Sequence, residues 1–84
     1  MTIRLLYFAW VREQIGLSEE EIALEEPVAL TDLVQSLRAR SRGHAQALGK
    51  LDRLRVALNR DFIGWDHQAK PGDEVAIFPP VTGG

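Results

Sequence analysis

The sequence predicts an α+β fold in which one main helix packs against one face of a mixed sheet. Leu30, Leu33, Val34 and Leu37 follow the i, i+3, i+4, i+7 spacing of an amphipathic helix. Strand-like segments flank this helix on both sides, and the first and last of them are the most apolar. The chain has 84 residues, so we expect a single domain over residues 1–84.

The first half of the chain opens with "TIRLLYF" at residues 2–8, whose two faces are both largely apolar, as in an interior strand. The four-residue spacing of Val11 and Ile15, followed by a glycine, predicts a short helix. In "EEEIALE" apolar residues alternate with glutamates. This alternation predicts an edge or half-exposed strand with Ile22 and Leu24 directed inward and the glutamates directed outward.

The end of the main helix is marked by cations and a glycine. Arg38, Arg40 and Arg42 suit its C-terminal end, where positive charge complements the helix dipole, and Gly43 is a typical stop. We therefore expect the helix to run to Gly43. Residues 44–53 fit either a loop or one more short turn of helix.

The second half of the chain is predicted to consist of strands. "LRVALN" at residues 54–59 alternates in polarity, and "DFIGW" follows after a turn. In "KPGDE", Pro71 and Gly72 occupy the central positions of a type II turn. The last strand, "EVAIF" at residues 74–78, is apolar on both faces, so we place it beside the first strand in the middle of the sheet. This order of elements is a β-grasp arrangement.

Composition excludes several classes of function. A net charge of −2 argues against binding to nucleic acid, and the absence of cysteine excludes a thiolate metal site or a cysteine nucleophile. No apolar stretch approaches the roughly 20 residues of a membrane helix. The N-terminus lacks the features of a signal peptide, so we expect a cytoplasmic protein without membrane contact.

The polar residues offer no clear catalytic motif. No phosphate-binding loop occurs, and His44 and His67 lack the partners of a zinc motif. His67 beside Asp66 is typical of a surface loop. The five glutamates within residues 19–26 are typical of a solvated face, with a basic partner as the alternative.

Four apolar side chains are ambiguous. Trp10, Trp65, Phe62 and Ile63 fit either contacts with a partner, where tryptophan is enriched, or partial burial in a small core. The sequence leaves both interpretations open.

The C-terminal "PPVTGG" carries the strongest functional signal. Its prolines cannot continue a central strand, because they lack an N–H donor, and they stiffen the chain. The final glycines place no side chain beside the carboxylate. We therefore expect an extended tail over residues 79–84, flexible relative to the body, that delivers a carboxyl group into a narrow site on another protein. It leaves the sheet after Phe78 and comprises Pro79, Pro80, Val81, Thr82, Gly83 and Gly84.

The segments "YFAWVRE", "VALN" and "PGDEVAIFPPVTGG" resemble those of the small subunits of molybdopterin synthase, a family of ubiquitin-like sulfur carriers. The resemblance covers nearly the whole chain, although residues 41–53 carry no useful match.

The resemblance implies a mechanism centred on Gly84. An ATP-dependent adenylating enzyme converts its carboxylate into an acyl adenylate, so AMP is attached transiently and no cofactor is bound stably. A sulfur donor protein then displaces AMP and leaves a thiocarboxylate. The tail enters the large subunit of molybdopterin synthase, within a heterotetramer, and gives sulfur to cyclic pyranopterin monophosphate. The chain is then a sulfur-donating subunit of a sulfurtransferase and not a catalyst alone.

Three alternative functions remain open. The chain could be the sulfur carrier of thiamin thiazole synthesis, a protein modifier joined through Gly84 to a target lysine, or an interaction domain whose tail is inert. The stalk "FPPV" favours the molybdopterin carriers over the thiamin carriers.

Overall fold

The computed structural model of the chain describes residues 1–80. Its strands are β1 (Thr2–Tyr7), β2 (Glu19–Ala23), β3 (Val28–Ala29), β4 (Arg55–Leu58), β5 (Asp61–Ile63), β6 (Gln68–Ala69) and β7 (Glu74–Phe78). Its helices are α1 (Ala9–Ile15), α2 (Leu30–Arg38) and α3 (Arg42–Ala47), with a 3₁₀ turn at Leu51–Arg53.

The main sheet has five strands in the order β2-β1-β7-β4-β5. The first and last strands lie side by side and run parallel, while the other pairs are antiparallel. The predicted interior position of β1 and β7 and the predicted edge position of β2 are both confirmed. A separate ribbon pairs β3 with β6. This ribbon was not predicted, because two-residue strands are too short to show a period.

The core lies between one face of the sheet and α2. Leu30, Leu33, Val34 and Leu37 of α2 are all buried, as the helical spacing predicts. They meet alternate residues of β1 and β7, which include Ile3, Leu5, Tyr7, Val75 and Ile77. The predicted α+β arrangement, with the main helix on one face of a mixed sheet, is therefore confirmed. The opposite face of the sheet carries none of this helical cover.

The predicted end of the main helix at Gly43 is wrong. Helix α2 stops at Arg38, and α3 begins after Ser41, whose side chain accepts a hydrogen bond from the backbone N–H of His44. Such N-terminal capping by serine satisfies a donor that the new helix leaves free. Gly43 instead lies inside α3, where a Cβ atom would collide with the backbone carbonyl of Gln14 in α1.

Two predicted turns are confirmed. Gly16 ends α1 in the left-handed region at φ 89°, and its N–H bonds the carbonyl of Arg12. Gly72 has φ 92°, as the third residue of a type II turn requires, and the N–H of Asp73 bonds the carbonyl of Lys70 at 3.0 Å.

Candidate functional site

The candidate site is the end of β7, where the predicted tail leaves the sheet. Phe78 is the last residue of the central strand, and Pro79 and Pro80 follow it outside any strand. Both prolines are half-buried against neighbouring elements. The remaining predicted tail residues, Val81, Thr82, Gly83 and Gly84, lie outside the described residues.

Around this point the open face of the sheet is apolar. In the strand register, Leu6 of β1 lies opposite Ala76 of β7, which lies opposite Ala57 of β4, which lies opposite Phe62 of β5. Because alternate residues of a strand share a face, this row runs across the side of the sheet away from α2. The two alanines in its middle are small and leave a depression between larger side chains.

This depression forms a groove of about 480 Å³ at the end of β7. We call its lining the apolar surface: Phe8, Ala57, Phe62, Ala76, Phe78 and residues 79–80. Phe62 is 83% exposed and Phe8 is 46% exposed. The rings of Phe62 and Phe78 are in contact in a tilted arrangement, with their centroids 5.6 Å apart. Exposed apolar side chains gathered around a groove are typical of a site for another protein.

The sequence alone does not identify the members of this surface. The sequence left open whether Phe62 contacts a partner or is partly buried in the core, and its exposure favours contact with a partner. Ile63, on the other face, packs against the core. One sequence signal for Phe8 and Phe78 was available. Side chains alternate between the two faces of a strand, and both residues alternate with the core residues of their own segments. The register that joins them across strands could not be read from the sequence.

The two tryptophans are partly buried and pack against the core cluster. Trp10 also lines a cleft of about 550 Å³ together with Arg53 and residues 79–80. The indole N–H of Trp65 points to the carbonyl of Leu54 at 3.5 Å. Partial burial in the core is therefore the confirmed interpretation of both tryptophans, while partner contact by Trp10, which borders the candidate site, stays a prediction.

One glutamate departs from the predicted outward orientation. Glu20 of β2 points inward, and its side chain is only 10% exposed. Its carboxylate accepts a hydrogen bond from Tyr7 Oη at 2.8 Å and lies 2.7 Å from His44 Nε2 and 3.2 Å from Arg40 Nε. Ser41 Oγ lies 2.7 Å from His44 Nδ1 on the other side of the ring. We call these five residues the Glu20 cluster.

The contacts within the Glu20 cluster favour the ionised form of the Glu20 carboxyl. Burial alone would raise the pKa of the Glu20 carboxyl, but the hydrogen bonds with His44 and Tyr7, and the charges of His44 and Arg40, outweigh it. The pKa of Glu20 therefore lies below its ordinary value. Burial, together with the bond to Glu20, raises the pKa of the Tyr7 phenol. The cluster joins β1, β2 and α3 and serves as a structural ion-pair network.

The other polar candidates do not form a catalytic site. His67 and Asp66 form an exposed pair 3.2 Å apart, as predicted for a surface loop. Within residues 1–80, no group of three or more His, Cys, Asp or Glu side chains could hold a metal ion. No helix in that same range is long and apolar enough to cross a membrane.

The sequence of the chain finds a match among known protein families. The model of the ThiS family covers residues 5–84 of the chain. The chain belongs to the ThiS family. Its fold is the ubiquitin-like β-grasp, as predicted.

Two curated relatives of this ThiS-family chain extend over its whole length. The molybdopterin synthase sulfur carrier subunit of Escherichia coli K12 is 43% identical over 82 residues, which cover 98% of this chain and 99% of the relative. Small archaeal modifier protein 3 of Haloferax volcanii is 29% identical over 92 residues and covers both chains completely.

Two solved structures share the fold of the ThiS-family chain. A Pyrococcus furiosus protein, provisionally described as molybdopterin converting factor subunit 1, has a TM-score of 0.78 and 31% identity over 96% of this chain and 99% of its own. A complex of subunits 1 and 2 of the molybdopterin-converting factor from Helicobacter pylori contains a chain with a TM-score of 0.67 and 25% identity over the full length of both.

Proposed function

We propose that the chain is the sulfur carrier subunit of a molybdopterin synthase. The observation that carries this proposal is the apolar surface at the end of β7, directly beside the first residues of the predicted tail. Membership of the ThiS family and the 43% identical relative named as a sulfur carrier subunit support it.

The proposed chemistry takes place at Gly84. Its carboxylate attacks the α-phosphate of ATP on an adenylating enzyme, which releases pyrophosphate and leaves an acyl adenylate. The persulfide of a sulfur donor protein then attacks the acyl carbon and AMP leaves, which gives an acyl disulfide. A second thiolate attacks the donor's sulfur in this disulfide, so that the S–S bond breaks, the donor is released in a new disulfide and the thiocarboxylate remains. Activation is needed because a carboxylate is a poor electrophile, whereas AMP is a good leaving group.

The thiocarboxylate sulfur is the nucleophile of the second stage. We propose that the tail carries it into the large subunit of the synthase, where cyclic pyranopterin monophosphate accepts it. Two such deliveries supply the two sulfurs of the dithiolene. The Helicobacter pylori complex of subunits 1 and 2 supports a partner of this kind.

The residues of the chain divide this work between a body and a tail. Gly84 carries the adenylate and then the sulfur, Gly83 keeps the path clear, and residues 79–82 form the stalk. Phe78 anchors the stalk at the end of β7, and the apolar surface around it docks against the partners. The body binds and positions, while the partners supply the nucleotide site and the sulfur acceptor site.

The decisive experiment measures the intact mass of the chain after incubation with ATP, the adenylating enzyme and a sulfur donor. We expect the mass to change by the replacement of one oxygen with one sulfur, localised by fragmentation to Gly84. A variant that lacks Gly84 should show no change while its circular dichroism spectrum remains that of the wild type. An unmodified wild-type chain with enzymes shown to be active would overturn the proposal.

The same experiment separates the alternatives. Isopeptide conjugates through Gly84 would identify a protein modifier, a possibility that the relative from Haloferax volcanii keeps open. A thiocarboxylate that is formed but not accepted by the molybdopterin synthase large subunit would favour the thiamin carrier. A tail that is never modified would be inert.

A further inference from the structure

The charges of the chain are divided between the two ends of the main sheet. The segment 19–26, which contains the edge strand β2, carries five glutamates and no lysine or arginine. The segment 50–60, which leads through β4 at the other end, carries Lys50 and three arginines against a single carboxylate, Asp52. A chain with a net charge of −2 therefore presents a positive end where β7 delivers the tail.

The three arginines of this positive end lie along the apolar surface, with Arg53 and Arg55 near the end of β7 and Arg60 beside Glu74 at its start. Arg53 lines the cleft that contains Trp10 and both prolines. Arg55 lies opposite Phe78 in the ladder of β4 and β7 and lines a smaller cavity with Phe62 and Phe78. Arg60, in the turn between β4 and β5, lines the groove of the apolar surface.

Contacts within the chain leave these charges largely uncompensated. Over residues 1–80, Arg53 and Arg55 form no ion pair, and the guanidinium of Arg55 donates to the carbonyl of Leu54 at 2.9 Å. Arg60 lies 3.8 Å from Glu74, with an arginine side chain that is 87% exposed. Exposed pairs of that kind contribute little, because water screens both charges. The neighbouring Asp52 and Asp61 are exposed and form no ion pair in that range.

We infer that Arg53, Arg55 and Arg60 bind carboxylates on the large subunit, arranged around the part of that subunit that contacts the apolar surface. An apolar centre with a charged rim is the usual organisation of a protein interface. Rim charges act mainly on the association rate and on orientation, because they attract the partner before the apolar centres meet. This inference rests on the proposed function and specifies the chemistry of its docking surface.

The test compares two double charge reversals with the same change in net charge. R53E/R60E changes two rim arginines, while R42E/K70E changes two exposed cations at the start of α3 and in the turn before β7. Association with the purified large subunit is followed by stopped-flow fluorescence at about 0.01 M and about 1 M salt, where charges are weakly and strongly screened.

We expect R53E/R60E to slow association about tenfold or more at low salt and to lose most of the salt dependence of the wild type, with a nearly unchanged dissociation rate. The control R42E/K70E should keep the salt dependence of the wild type, and its association rate should fall much less than that of R53E/R60E. Equal losses in both variants, or none in R53E/R60E, would overturn the inference while leaving the proposed function intact.

Two further measurements keep the outcome clear. The neutral variant R53Q/R60Q, which adds no repulsive charge, should show an intermediate loss if the arginines attract carboxylates, and a full wild-type rate would count against the inference. A wild-type chain that takes up sulfur but does not bind the large subunit at any salt concentration would contradict both the inference and the proposed function.

Discussion

At the scale of single residues, the sequence pattern did not predict the inward orientation of Glu20. In "EEEIALE" it is one of three consecutive glutamates, and charge alone predicts that all of them face solvent. Strand parity places Glu20 on the same side as Ile22, and the inward position is tolerated because Tyr7, His44 and Arg40 satisfy the carboxylate. Those partners lie far away in sequence, so they could not be found without the fold.

We expect Glu20→Gln to lower the free energy of unfolding by about 1–3 kcal/mol at neutral pH, because a charged acceptor of several bonds is replaced by a neutral one. The matched control is Glu21→Gln, on the exposed face of the same strand. This substitution should change the free energy of unfolding by less than about 0.5 kcal/mol. Urea denaturation of the three proteins measures both values. Equal effects of the two substitutions would show that the Glu20 cluster does not stabilise the fold.

The pH dependence of the same comparison tests the ionisation of Glu20. Since its pKa in the folded chain lies below the ordinary value, its contribution is complete above the unfolded pKa of about 4.3 and is lost as the pH falls through the lower folded pKa. The difference in unfolding free energy between wild type and Glu20→Gln should therefore shrink on acidification below about pH 4. A difference that stayed constant or grew would contradict the assigned shift.

At the scale of elements, the sequence predicted structure well where a hydrophobic period was long or where a turn needed a specific residue. The four buried leucine and valine positions of α2 and the glycine stops of α1 and the type II turn were all confirmed. The boundary between α2 and α3 was not predicted. A glycine after arginines is typical of a helix end, whereas Gly43 is present because α1 and α3 approach closely at that point.

This close approach makes Gly43→Ala a sensitive probe of helix packing. An added Cβ meets the rigid backbone carbonyl of Gln14, so the helices must separate, at a cost of about 1–3 kcal/mol in unfolding free energy. Gly64→Ala is the matched control, because its Cβ meets only the side chain of Asp66, which can rotate away. Thermal or urea unfolding should show a clear loss of stability for Gly43→Ala and little change for Gly64→Ala. A stable Gly43→Ala variant would mean that the contact between the helices is loose.

At the scale of the whole molecule, the sequence was enough to predict the fold, while the apolar surface emerged only from the strand register. Two apolar strands at the start and end of the chain were enough to place β1 beside β7, and Pro79 and Pro80 follow Phe78 outside the sheet. The apolar surface draws Phe8, Ala57 and Phe62 from three different segments, so no local pattern joins them. If the apolar surface docks the partner, docking and folding use opposite faces of one sheet, and substitutions should affect them separately.

Phe62→Ala tests this separation. Its ring is mostly exposed, so the unfolding free energy should change by less than about 0.5 kcal/mol. If the apolar surface docks the partner, loss of the ring should weaken binding to the large subunit by about 1–2 kcal/mol, which is about 5- to 30-fold in affinity. Leu17→Ala, which removes another exposed apolar side chain in the loop between α1 and β2, is the control and should bind normally. Isothermal titration calorimetry measures the affinities, and a Phe62→Ala variant that binds as tightly as the wild type would exclude the open face of the sheet as the docking surface.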